Sequence, residues 1–171
     1  MTIGDIERNR ILPFKIEDER LKKIFSFFLH EAPTIESQGA MEMDEEELTK
    51  RWLKFKNGIA EIDFMCIPYN SHKGKFEKCL KEHGLASDCK VNRKTRTFVC
   101  KLKKPPETEC QCVLRHIRNA IAHDGVFLVD TGKGKRKYIL FEDKKGETIS
   151  AKILLSQTDL SSLKREISNK Q

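Results

Sequence analysis

The sequence predicts a mainly α-helical fold: a helical bundle with a small antiparallel β-hairpin or sheet before a C-terminal helix. Three observations predict it. Up to residue 124, apolar residues recur at helical spacing over long segments. After Gly125 the pattern changes to short apolar runs separated by turn residues. Helical spacing then returns near the C-terminus through Leu160, Leu163 and Ile167.

Taken in order, residues 17–31 read as the first helix. Leu21, Ile24, Phe25 and Phe28 form its apolar stripe, acidic residues fill its first turn, and Pro33 stops it. The polar stretch from Thr34 to Met43 reads as a loop. A longer helix is expected from Asp44 to Ile67, with Asp44 as cap and Glu45, Glu46 and Glu47 in the first turn. Its buried stripe would be Leu48, Trp52, Phe55, Ile59, Ile62 and Met65 or Cys66, and Pro68 ends it. Gly74 to His83 suits a short helix closed by Gly84.

Residues 90–104 are basic and contain Thr95, Thr97, Phe98 and Val99, a composition open to a strand or a loop. Pro105-Pro106 breaks this segment, and Glu107 opens a helix running to about residue 124. The β portion occupies about 126–155. Val126–Val129 and Tyr138–Phe141 flank a basic turn, Thr131 to Arg136, and Glu147–Leu155 alternates through Ile149, Ala151 and Ile153 after the Lys144-Lys145-Gly146 turn. Thr158 or Asp159 caps a last helix at about 158–169. No repeat, low-complexity segment or clear boundary divides the 171 residues, so one domain, 1–171, is expected.

Composition narrows the function classes. With 38% hydrophobic and 35% charged residues, the chain has a charged surface around a modest core and is not disordered. A net charge of +7 favours a polyanionic partner, chiefly nucleic acid, although it also serves solubility. The basic runs Lys90–Arg96, Lys101–Lys104 and Lys133–Lys137 fit either use. No apolar run reaches the ~18 residues of a membrane span, and Met1–Arg10 lacks the apolar centre of a secretory signal. A cytoplasmic location without membrane attachment is the expectation.

The six cysteines, at 66, 79, 89, 100, 110 and 112, suit that location as reduced thiols. Cys110-Gln111-Cys112 lacks a matching second half. Cys79 and His83, four apart with His72 nearby, are more simply a buried thiol and two surface rings. Neither a metal nor a cofactor is expected.

The helix at 107–124 carries the strongest chemical signal. At 100° per residue, Cys110, Leu114, Ile117 and Ile121 form its core face. Arg115, His116, Asn119 and His123 fall on the opposite side, and Arg118 lies on the flank between them. Asn119 and His123, four apart, nearly stack. Such a set suits metal-free RNA cleavage. A histidine can move the protons, an arginine can hold phosphorane charge, and an asparagine can orient the histidine or bind phosphate. A solvated polar face or a structural hydrogen-bond network would give the same spacing. One copy offers few groups for the reaction, and chemical need points to a second copy across a two-fold axis.

The segment Leu114-Arg115-His116-Ile117-Arg118-Asn119-Ala120-Ile121-Ala122-His123 resembles the signature of the HEPN superfamily: an arginine, a polar residue that is often asparagine, then a histidine after a short spacer. The resemblance is sharp over about 112–129, extends to the order of elements over 107–169, and includes bacterial HEPN-family nucleases of the defence and toxin type. It implies a HEPN-like helical bundle and a metal-independent endoribonuclease that acts as a homodimer with motif helices juxtaposed. Toxin–antitoxin or phage-defence biology, RNA as substrate, and a protein antitoxin or regulator as further partner follow from the same resemblance. Arg118 and His123 would be catalytic and Asn119 supporting, with 2′,3′-cyclic phosphate products. Arg115 and His116 are added from the helix wheel as RNA- or phosphate-binding residues. HEPN toxins under nucleotidyltransferase control often carry a tyrosine two residues after the histidine; Gly125 stands there, which puts that form of regulation in doubt. The alternative reading is a non-catalytic HEPN module that binds RNA or dimerises. A regulatory partner of another enzyme, with Trp52 and the phenylalanines at an interface, is a third.

Overall fold

The computed structural model describes residues 1–34, 44–59, 62–92, 94–103, 107–132 and 136–168. Most of the expected 34–43 loop, Pro105-Pro106, the tip of the basic turn at 133–135 and the tail from 169 lie outside them. The elements in chain order are α1 (Ile3–Glu7), α2 (Glu19–His30), α3 (Glu45–Asn57), β1 (Asp63–Ile67), α4 (Lys73–Glu82), β2 (Thr97–Lys101), α5 (Glu109–Ala122), β3 (Val126–Asp130), β4 (Lys137–Lys145), β5 (Thr148–Ser156) and α6 (Gln157–Ser168).

The expectation of a mainly helical bundle with a small β appendage is overturned. A five-stranded mixed sheet, ordered β1-β2-β5-β4-β3, runs through the centre of the fold. β1 and β2 pair in parallel and the remaining neighbours are antiparallel. The run Tyr138-Ile139-Leu140-Phe141 holds the reason. Ile139 and Phe141 pack into one core, Tyr138 and Leu140 into another. A strand that is apolar at every position is covered on both faces, so this segment belongs to a central strand and not to a one-sided hairpin. Phe98 and Cys100 against Val99 in β2, and Ile153 and Leu155 against Leu154 in β5, divide the same way.

On one face lie α2, α3, α5 and α6, contributing Leu21, Phe25, Phe28, Trp52, Leu114, Ile117 and Leu163. On the other lie α1 and α4, contributing Ile3, Ile6, Phe76 and Leu80. The polar-looking N-terminus is therefore anchored. Thr2 and Asp5 form a reciprocal cap on α1, and the Ile3 and Ile6 side chains are wholly buried.

The second correction concerns the helix expected from Asp44 to Ile67. It stops at Asn57-Gly58, and Asp63–Ile67 forms β1. Asn and Gly are poor helix residues and good stops. Beyond them, Phe64 and Cys66 meet the helical face of the sheet while Met65 meets the other, a period of two that the aligned helical stripe conceals. The helices at 17–31, 74–83 and 158–169 form within a residue or two of their expected bounds. Among the described residues no helix is long and apolar enough to cross a membrane.

Candidate active site

Helix α5 is set by its sequence. Thr108 caps it reciprocally with Gln111: the Gln111 amide donates to the Thr108 hydroxyl at 3.2 Å, and the Thr108 amide donates to Gln111 Oε1 at 3.0 Å. The helix packs between the sheet and its neighbours, so Cys110, Cys112, Val113, Leu114 and Ile117 are buried and most of its circumference is dry. That geometry decides the fate of its polar residues.

Arg115 and His116, expected on an open face for RNA, are 5% and 1% exposed. Both side chains are therefore turned inward and not onto the open face expected for them. Buried polar groups need partners, and both residues have them. Arg115 makes a two-pronged ion pair with Glu107, Nε to Oε2 at 2.7 Å and Nη2 to Oε1 at 3.0 Å, and Nη2 also donates to the Lys101 carbonyl at 3.1 Å. His116 Nδ1 lies 2.7 Å from Asp143 Oδ2, and its Nε2 lies 2.7 Å from the Lys101 carbonyl and 3.2 Å from Arg115 Nη2. The chain of contacts ends on the motif: Asn119 Nδ2 donates to the same Asp143 oxygen at 3.1 Å.

The electrostatics agree with the geometry. Burial acts to raise the Asp143 carboxyl, but the hydrogen bond from His116, its charge and the Asn119 amide outweigh it and hold the group below the usual carboxylate value. Glu107 is likewise held low, since its contacts with Arg115 and the Lys103 amide overcome burial. Arg115 is held firmly protonated, because Glu107 more than offsets its desolvation.

Sequence reasoning missed Glu107 and Asp143 as members of this group. A signal for partners was present: Arg115 and His116 follow Cys112, Val113 and Leu114 directly, a crowding of apolar residues that leaves no wide polar face. Asp143 reaches α5 because it shares the helical side of β4 with Ile139 and Phe141, next to a register shift between Asp143 and Lys144.

Arg118, Asn119 and His123 sit differently. Arg118 and Asn119 are half-buried and His123 is exposed. Arg118 Nε is buried without a hydrogen-bond partner among the described residues. His123 is the C-cap, with φ −119° and ψ 28°, and its amide donates to the Asn119 carbonyl at 3.0 Å. Asp124 takes the left-handed conformation at φ 57°, and the Gly125 amide reaches back to the Ala120 carbonyl at 2.8 Å.

The weaker metal candidates separate. His72 caps the start of α4, with Nδ1 accepting from the Lys75 amide at 3.2 Å, while His83 at the other end pairs with Asp63 at 2.8 Å. Among the described residues no group of three or more His, Cys, Asp or Glu side chains is placed to hold a metal ion.

A family model described as HEPN pEK499 p136 matches residues 7–171. The chain belongs to this HEPN family. No curated protein and no solved structure matches it.

Within this HEPN chain, the glycine two residues past the motif histidine has a structural reason. A Cβ at Gly125 would lie 2.0 Å from the Glu142 carbonyl oxygen of β4, and the Gly125 carbonyl accepts from the Glu142 amide at 2.8 Å. The strand backbone fills the place where any side chain, a tyrosine included, would begin.

Proposed function

We propose that this HEPN protein is a metal-independent endoribonuclease whose catalytic residues are Arg118 and His123, with Asn119 supporting them. The observation that carries this reading is the division of polar residues on α5. Arg115 and His116 are buried and paired, whereas Arg118 and His123 make no side-chain hydrogen bond or ion pair among the described residues.

In this reading the ribose 2′-oxygen attacks the adjacent phosphorus. A histidine removes its proton, Arg118 donates to the phosphorane oxygens, and the 5′-oxygen leaves as it is protonated. The products are a 2′,3′-cyclic phosphate and a 5′-hydroxyl. Asn119, fixed by Asp143, holds a polar group beside the reacting phosphate.

The protein works as a homodimer. Arg118 and His123 are five residues apart, roughly 140° around a helix, and one chain offers a single exposed histidine on α5 for two proton transfers. Apposed motif helices would supply the second His123 and Arg118. Toxin–antitoxin or phage defence is the biological setting that suits such an enzyme, with an antitoxin or regulator as protein partner.

The test is cleavage of mixed RNA in excess chelator, with His123→Ala and Arg118→Ala chains beside the wild type. Cleavage that persists in chelator and is lost in both variants supports the enzyme. Tight RNA binding without cutting by the wild type would replace this reading with that of a binding module.

A further inference from the structure

Of the chain's five histidines only His116 is buried. Each of its ring nitrogens faces an acceptor. Nδ1 lies 2.7 Å from Asp143 Oδ2, and Nε2 lies 2.7 Å from the Lys101 carbonyl oxygen. A backbone carbonyl only accepts. Asp143 is buried, yet the contacts that favour its charged form outweigh burial and hold it below the ordinary carboxylate value, so it accepts as well. A ring nitrogen without hydrogen at either place would set two lone pairs against each other at hydrogen-bond distance.

Arg115 does not relieve this. Its Nη2 lies 3.2 Å from His116 Nε2, but that nitrogen carries only two hydrogens. One is donated to Glu107 Oε1 at 3.0 Å and the other to the Lys101 carbonyl at 3.1 Å. Neither is left for Nε2 to accept. The Cys112 thiol is a further donor to the same carbonyl, at 3.6 Å. The charged groups that meet the ring and its partners are Arg115 on α5, Glu107 just before it and Asp143 on β4. Arg115 and Glu107 pair with each other, and a ring carrying both hydrogens supplies the opposite charge that buried Asp143 needs at contact.

We propose that His116 is a positioning residue for the motif. Its ring is protonated on both nitrogens, ties the end of β2 to β4, and fixes the Asn119 amide through the Asp143 oxygen that the two share. Asn119 Nδ2 is committed to that oxygen at 3.1 Å. The end of the amide left to serve the motif is therefore Oδ1, an acceptor. An acceptor suits the N–H of a histidine ring, and a phosphate oxygen brought to Nδ2 would meet the Asp143 carboxylate. Of the two uses open to Asn119, orienting a histidine is the one that this arrangement favours. That use rests on the proposed function, whereas the protonation of His116 does not.

The test is nitrogen NMR of the ring in the isotope-labelled full chain, in mildly alkaline buffer, where a free imidazole is largely uncharged. A protonated ring nitrogen and a bare one resonate far apart. Both His116 nitrogens of the wild type are expected at the protonated position, each coupled to its own hydrogen. In Asp143→Asn, which keeps the shape and removes the charge, one of them should become bare. In His116→Gln, which donates but carries no charge, the Asn119 side-chain amide signals should shift and exchange faster with solvent. A bare Nδ1 or Nε2 in the wild type would overturn the proposal, and that measurement requires no variant to fold. Unmoved Asn119 amide signals in His116→Gln, with a melting curve showing a folded chain, would overturn the positioning role. No RNA is present in these measurements, so their failure and a failure of cleavage are read separately.

Discussion

One carboxylate oxygen of Asp143 is shared by His116 Nδ1 at 2.7 Å and Asn119 Nδ2 at 3.1 Å. A buried pair thereby fixes a half-exposed motif residue. Replacing Asp143 with Ala removes the partner of His116 and frees Asn119. Leaving a buried polar group without its partner costs about 1–3 kcal/mol, so Asp143→Ala is expected to lose that much unfolding free energy, seen as a lower urea midpoint. Asn119→Ala is expected to weaken RNA cleavage with little loss of stability. Equal stability of Asp143→Ala and wild type would remove the pair from the account.

The same network sets an acid limit. Glu107 and Asp143 are held below their ordinary values of 4.5 and 3.8 in the folded chain. Each lowered carboxyl contributes stability above its unfolded pKa, and the contribution is lost as pH falls through the folded one. Unfolding free energy should therefore drop as pH falls from about 4.5 downward. In Glu107→Gln the acid limb should be shallower, although the variant is less stable at neutral pH. Parallel acid limbs for the two chains would refute this.

Gly125 couples the end of the motif helix to β4. A Cβ there meets the Glu142 carbonyl oxygen at 2.0 Å. Gly125→Ala must push the backbones apart and strain the Glu142-to-Gly125 hydrogen bond, at a cost of about 2 kcal/mol or more. Its melting temperature should fall, and the His123 ring signals should move because the C-cap moves with the turn. An unchanged melting temperature would contradict the close approach.

Three thiols converge where β1, β2 and α5 meet. Hydrogen bonding to Cys112 and burial push the Cys66 thiol up, burial raises Cys100, and contact with Cys100 raises Cys112. Thiols without thiolate character react slowly. A disulfide reagent should modify buried Cys100 and Cys112 only after denaturant is added, while half-buried Cys89 reacts sooner. Rapid labelling of Cys100 or Cys112 in the native chain would count against this packing.

What the sequence revealed follows from physical scale. Caps and stops are local, so α2, α4, α5 and α6 were legible from acidic first turns, Pro33, Gly84 and the apolar spacing. The full sheet was not, because β4 is apolar at every position from Tyr138 to Phe141 and because β1 and β2 join β5 from a segment remote in sequence. Met65 or Cys66 fitted the end of a helical stripe, and only the pairing with β2 shows that this segment is a strand. At the site, the Arg118–His123 segment was visible as a local motif. The roles of Arg115 and His116 were not, because their partners Asp143 and the Lys101 carbonyl come from strands remote in sequence.

Under the proposed function, His123 performs metal-free RNA cleavage. The most direct measurement is the rate of cutting of mixed RNA in excess chelator by wild type and His123→Ala, with melting curves confirming that both chains are folded. Chelator-resistant cleavage that leaves 2′,3′-cyclic phosphate ends is expected, falling by roughly 10²-fold or more in the variant. Equal rates in the two chains, or no cutting by a wild-type protein that binds RNA tightly, would contradict it.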